Sequence, residues 1–367
     1  MQRKFAGLFA TAAVTVMFGQ AAWSADLTAL EEAAKAEGMI TTIAIPHDWC
    51  GYGDVFEGFK KKYPWIQMNE LNPDAGSADE LEAIRANKDN KGPQAPDVID
   101  VGLAFGPSAM AEGLLQPYKV STWDEIPAEV KDPDGHWYAD YYGVISFIVD
   151  KDMVANTPKD WADLLKPEYI GQVAMAGDPR ASNQAILAVL AAGLSRGAAP
   201  GADAAKAGLE FFAELNKAQN FVPVIGKAGT LAQGSTPIVI AWDYNALGWK
   251  DTLAGNPPVE VVVPETGVLA GVYVQAISAY APHPNAAKLY MEYLYSDEGQ
   301  LGWLDGYCHP ARFNALAAAG KIPQAALDAL PPPEGYAKAY FPTLEEVDAN
   351  KAAVTADWDK VVGANVQ

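Results

Sequence analysis

Two cysteines and four histidines in 367 residues leave little material for a metal centre. Cys50 and Cys308 fit no zinc spacing, and His47, His136, His283 and His309 are scattered along the chain. The motifs that announce common catalysis are also missing. There is no GxSxG elbow, no HExxH helix, no phosphate-cradling P-loop and no SxxK. Gly51-Tyr52-Gly53 begins like a dinucleotide loop but lacks the third glycine. Nothing here calls for a cofactor. Positive charge is scarce, with 26 basic against 46 acidic residues and a net charge of −20. No basic run offsets that field, which disfavours nucleic acid and anionic lipid as partners. The apolar run over residues 5–19 falls short of the roughly 20 residues a membrane-spanning helix needs, so no stable membrane insertion is expected.

That run reads instead as the middle of an export signal. Arg3 and Lys4 precede it, and Ala22-Trp23-Ser24 places small residues at the two positions a signal peptidase reads. A leader over residues 1–25, cut after Ser24 or Ala25, predicts an exported, periplasmic protein. In an oxidising compartment the even pair Cys50 and Cys308 suggests one disulfide, closing a very long loop. Two buried free thiols are the alternative.

The remaining chain is long enough for two domains. Helix and strand patterns alternate through it. Strands are expected at 39–45, 66–71, 97–101, 143–149, 173–176, 237–241, 259–263 and 272–278. Ser77 with Glu80 reads as a capping box opening a helix. A long last helix over 344–362 reads as a strap laid on a domain surface. Strands separated by helices of about ten residues argue for α/β lobes with mainly parallel central sheets. The stretches 143–149 and 262–278 look like hinge strands crossing between the lobes. The expected division is 26–143 plus 272–332 for one lobe and 144–271 plus 333–367 for the other.

In such lobes chemistry gathers just after strands, at helix starts. The first strand ends in IPHDWCGYG, placing His47, Asp48, Trp49 and Tyr52 at its mouth. An indole beside a carboxylate can hold a cation; a tryptophan packed under its own loop is the plain alternative. After 173–176 come Asp178, Arg180 and Ser182 at a helix start, suited to an anion, unless Asp178 and Arg180 simply pair. After PIVIA come Trp242, Asp243 and Tyr244. Tyr142 and Tyr273 flank the two crossings.

Five segments in order carry a resemblance: APDVIDVGLAFGPSAMAEGLLQPY, YYGVISFIVDKDMV, PKDWADLLKPEYIGQVAMAGDP, GSTPIVIAWDYNA and NAAKLYMEYLYSDEGQ. Through them the chain resembles the periplasmic solute-binding proteins of ABC importers, in the group with spermidine/putrescine-binding and ferric-ion-binding members. The resemblance implies two α/β lobes that close on a small-molecule solute, no catalysis, a monomer, and an inner-membrane ABC permease as partner. It places Trp49 and Trp242 where polyamine binders have aromatic walls, and Asp178 with Arg180 on a matching D-x-R. The chain departs from that group at Gly102, Ala104, Ala181, Gly271 and Tyr273. Where ferric binders carry two adjacent tyrosines it has Asp243-Tyr244. A charged organic solute, amine or zwitterion, is therefore expected. A phosphonate, a sugar phosphate or ferric ion is the alternative within the family. A secreted α/β hydrolase or lyase is the alternative outside it.

Overall fold

The computed structural model describes residues 17–330 and 338–367, with side chains from Leu27 onward. The leader expected over 1–25 lies outside the described residues as far as 16, and beyond that on helical backbone alone.

Helix and strand alternate at the start: α1 (Met17–Glu37), β1 (Met39–Ile43), α2 (Tyr52–Lys62), β2 (Gln67–Leu71), α3 (Ser77–Ala86), β3 (Val98–Gly102), α4 (Phe105–Ala111) and β4 (Leu115–Gln116). The middle holds β5 (Tyr138–Asp150), β6 (Val173–Met175), α5 (Asn183–Ser195), α6 (Ala202–Lys217), β7 (Phe221–Ile225), α7 (Ala228–Ala232), β8 (Ile238–Trp242), α8 (Asp243–Leu253) and β9 (Val259–Val262). The chain returns through β10 (Ala270–Ser278), α9 (Pro284–Leu294), α10 (Asp297–Asp305), β11 (His309–Pro310), α11 (Phe313–Ala318), α12 (Gln324–Ala329) and α13 (Leu344–Val361). Among the described residues no helix is long and apolar enough to cross a membrane.

Two α/β lobes result. The helix-separated strands pair parallel, β1 with β2 and β6 with both β7 and β8. The crossing strands run antiparallel to their neighbours. β5 is the main link. Its first half pairs with β10 up to Val144, and from Ile145 onward it pairs with β8. It is longer than the expected 143–149, because the polar start YADYY is buried with the rest of the strand. The second expected crossing, 262–278, is not one extended stretch. β9 stops at Val262, and β10 begins only at Ala270, after Pro264 and Gly267 have interrupted the strand.

Local chemistry sets two helix starts near the junction. α3 is capped one residue earlier than its sequence suggests. Gly76 is the N-cap, and the Asp79 carboxylate accepts its N–H at 2.9 Å. Glu80, expected as the capping partner, is buried and accepts the Asp100 N–H at 2.9 Å. α13 is a strap, as its pattern indicated. Thr343 and Glu346 form its capping box, and fully buried Trp358 packs on Phe212 and Phe221 with its indole N–H on the Ala364 carbonyl at 2.7 Å.

Candidate functional site

A cavity of about 550 Å³ lies where the lobes meet, in the size range of small-molecule sites. One wall comes from the loop after β1 (Ala44, Asp48, Trp49), the loop leading into α3 (Asp74 to Glu80) and Asp100 on β3. The other comes from the turn between β6 and α5 (Asp178, Ser182, Asn183, Gln184), the turn after β7 (Lys227) and α8 (Asn245, Trp249). Tyr273 of β10 lies between them. The register of β10 against β5 shifts there, where two residues of β5, Asp140 and Tyr141, stand opposite Tyr273 alone, a bulge in β5 of the kind that re-aims a side chain.

The lobes touch around this cavity. The Ala78 N–H reaches the Ala181 carbonyl at 3.4 Å, and Lys227 stands 3.9 Å from Asp74. Lys351 on α13 donates to the Ala104 carbonyl at 2.9 Å and to Ser108 Oγ at 2.8 Å. A glycine lets the lobes approach at Gly102, and another makes room for a ring within the second lobe at Gly271. A Cβ on Gly102 would fall 2.0 Å from Asn183 Cγ, and one on Gly271 would fall 2.0 Å from the Trp242 ring.

The lining is acidic. Asp48, Asp74, Asp79, Glu80, Asp100 and Asp178 face Lys227, the only Lys, Arg or His among the described lining residues. Several of these carboxylates already have partners. Asp79 caps α3, and Asp178 holds the Arg180 guanidinium through contacts of 2.9–3.1 Å. Asp100 is different. Its Oδ2 accepts from the Tyr52 hydroxyl at 2.8 Å and from Tyr141 at 2.7 Å. Its Oδ1 is buried without a hydrogen-bond partner, and the residue is 5% exposed. Burial pushes the Asp100 carboxyl up to about 7, although the two tyrosine hydrogen bonds pull it down. Burial also pushes Glu80 and Asp140 up, and repulsion from Asp100 adds to it.

The structure brings five of the expected site residues to the cavity: Asp48, Trp49, Asp178, Ser182 and Tyr273. It places the others elsewhere. His47 stands at the surface, 2.5 Å from Glu70. Tyr52 lies beneath the floor on Asp100. Tyr142 stacks on His309 and meets Phe341, because successive residues of β5 face opposite ways. Its neighbour Tyr141 takes the cavity side, joining Trp49 to Asp100. Arg180 is turned back on its own loop by Asp178 and reaches Asn365 at 2.8 Å. Trp242 is fully buried in the notch above Gly271. Asp243 is buried and accepts the Val144 N–H at 2.8 Å. Tyr244 is buried behind Trp49. Cys50 and Cys308 are bonded, with Cα atoms 5.5 Å apart.

Asp100, Asn183, Gln184, Lys227, Asn245 and Trp249 line the cavity without having been expected there. A signal for Asp100 existed: it is the lone charge inside the otherwise apolar strand VIDVG. Among the described residues no group of three or more His, Cys, Asp or Glu is placed to hold a metal ion.

Comparison with known proteins agrees with this architecture. An uncharacterised protein of Haemophilus influenzae is 31% identical over 250 residues, 63% of this chain and 66% of its own length. A probable ABC transporter periplasmic-binding protein of Sinorhizobium fredii is 29% identical over 175 residues, 46% of this chain and 42% of its own. The chain thus spans less than two thirds of the length of either relative. The solved periplasmic binding protein AgtB of A. tumefaciens R10, in complex with agropinic acid, superposes with a TM-score of 0.68 at 17% identity, over 89% of this chain and 99% of that one. Residues 94–331 match the family model described as bacterial extracellular solute-binding protein. With well over half of its length inside that match, the chain belongs to the bacterial extracellular solute-binding proteins, a family that holds solutes and does not turn them over.

Proposed function

We propose that this protein is a periplasmic receptor for a small cationic or zwitterionic organic solute, which it delivers to an inner-membrane ABC importer. The observation that carries the reading is the cavity between the lobes, lined by six carboxylates and Lys227. Such a lining repels a purely anionic solute and favours an amine. Lobes 26–143 plus 272–332 and 144–271 plus 333–367 open and close about β5 and β10, and the solute enters the open form. The protein works as a monomer after a cut behind Ser24 or Ala25 removes its leader. The AgtB complex with agropinic acid supports an organic solute as a class of ligand that this fold accommodates.

A thermal-shift screen of amines, amino acids, phosphonates, sugar phosphates and ferric complexes tests the reading. A ligand present at a hundred times its dissociation constant raises stability by about 2.7 kcal/mol. Amines or amino acids should give the upward shifts. Shifts from sugar phosphates or phosphonates alone would replace the cationic solute with an anionic one, held at the α5 start and Lys227. No shift from any of these classes would refute the receptor reading.

A further inference from the structure

We propose that Asp100 is the seat for a protonated primary or secondary amine of the solute, with Trp49 and Tyr273 as the walls beside it. The proposal rests on the receptor reading above and narrows its ligand. Asp100 lines the cavity, is 5% exposed, and has one carboxylate oxygen, Oδ1, that is buried with no hydrogen-bond donor. Leaving such an acceptor unpaired is costly, and a donor in the cavity removes that cost. Its other oxygen is held in place from behind. Tyr52 and Tyr141 donate to Oδ2, the Trp49 indole N–H donates to the Tyr141 hydroxyl at 2.7 Å, and the Gln275 amide donates to the Tyr52 hydroxyl at 2.6 Å. The carboxylate is therefore oriented before any solute arrives.

The partner that answers both the unpaired oxygen and the acidic lining is a donor and a cation. An anion would bring an acceptor against an acceptor. A quaternary ammonium has the charge but no N–H, and would leave Oδ1 unpaired. An ammonium bearing N–H bonds satisfies the oxygen and balances the charge, beside Trp49 and Tyr273, whose rings pack edge to face with centroids 5.6 Å apart.

The seat is linked to protons. The groups facing Asp100 are Glu80 from α3, Tyr52 from α2, Asp140 and Tyr141 from β5, Tyr273 from β10, Tyr244 from α8, Tyr290 from α9 and Tyr295 just after it, none of them a cation. With burial pushing Asp100 up to about 7, it is ionised at pH 8 and largely protonated at pH 5.5. An alkylamine stays charged across that range, so affinity falls as pH falls. The ionised fraction at pH 5.5 is about one in thirty, which predicts roughly thirtyfold weaker binding than at pH 8.

Isothermal titration of the full chain with putrescine, 4-aminobutyrate, 4-(trimethylammonio)butyrate and glucose 6-phosphate tests this. We expect putrescine or 4-aminobutyrate to bind at pH 8 and to weaken about thirtyfold at pH 5.5. The trimethyl compound should bind at least a hundredfold more weakly than 4-aminobutyrate if the latter is the binder, and should fail outright otherwise. Asp100→Asn should lose about a hundredfold at pH 8 and the pH dependence with it, its melting curve confirming that it folds. The trimethyl comparison uses the unaltered protein and does not depend on that variant. Failure of both amines, equal binding of the trimethyl compound, or a pH slope that survives in Asp100→Asn overturns the seat. If glucose 6-phosphate binds and both amines fail, the seat and the cationic solute are wrong, and the receptor role alone stands.

Discussion

Removing the Cys50–Cys308 bridge should weaken the protein about as much as losing a large core side chain, and it should loosen the site wall as well. The bond joins residues 258 apart in sequence. In the chain-entropy model a closed loop of that size removes about 5.6 kcal/mol of conformational freedom from the unfolded chain, a little above the roughly 5 kcal/mol that bridges contribute at most. We expect Cys50→Ala with Cys308→Ala to cost about 3–5 kcal/mol. Both cysteines are buried, at 1% and 0% exposure, so alanine leaves small gaps and no polar atom behind. Unfolding entropy of about 2.1 cal/mol/K per residue converts 4 kcal/mol into a fall of about 6 °C in Tm. Cys50 follows Trp49 directly, and the neighbouring Gly51 packs on the Gly306 backbone. The bridge therefore ties the loop carrying Asp48 and Trp49 to the end of α10. Thermal unfolding followed by tryptophan fluorescence, beside non-reducing mass spectrometry of the unaltered protein, gives the comparison. A Tm change under about 1 °C, or two alkylatable thiols in protein recovered from the periplasm, would refute the reasoning.

Lys351→Met should loosen the closed form. It removes two hydrogen bonds to the first lobe and the ammonium lying 4.3 Å from the Phe105 ring centre. Small-angle scattering of the ligand-free protein should report a larger radius of gyration, and an unchanged radius would count against the latch. Gly271→Val should cost about 1–3 kcal/mol by overpacking, since even a Cβ there meets the Trp242 ring at 2.0 Å; a melting curve unchanged within 1 °C would sink that account. Trp358→Ala should cost about 3–5 kcal/mol in urea unfolding, because the ring is fully buried under α13; a loss below 1 kcal/mol would mean that the strap is dispensable. Burial pushes His309 down to about 4, so the unfolded chain takes up its proton first, near 6.5. Its contribution is present above pH 6.5 and is lost as pH falls toward 4. His309→Asn should therefore lose less stability than the unaltered protein between pH 7 and 4.5, and parallel losses would argue against it.

Much of the architecture was legible because it rests on local rules. The strand patterns at 39–45 and 173–176, the apolar α5 and the strap α13 follow from periodicity, and periodicity depends only on near neighbours. The errors came where a distant neighbour decides. Ser77 and Glu80 fit a capping box, yet Glu80 is drawn to the Asp100 backbone and Asp79 takes the capping role. Tyr142 and Tyr141 are adjacent and chemically alike; only the facing of β5 tells which one meets Trp49. Arg180 had the character of a ligand donor, but its guanidinium is closed by a carboxylate two residues away.

The sequence by itself determined the class of molecule: an acidic chain without catalytic motifs, of two-lobed α/β pattern, whose ordered segments match one family of solute binders. Those properties are sums over many residues and survive local misreading. What only the tertiary structure decided is which side chains share the cavity and which of them already have partners. Trp242 disappears into the space that Gly271 leaves, and Asp243 into a backbone hydrogen bond. Asp100, one charge inside an apolar strand, emerges at the junction of the lobes with an oxygen unpaired. Whether a polar group is free or satisfied depends on atoms brought together from far along the chain, and no spacing in the sequence encodes that.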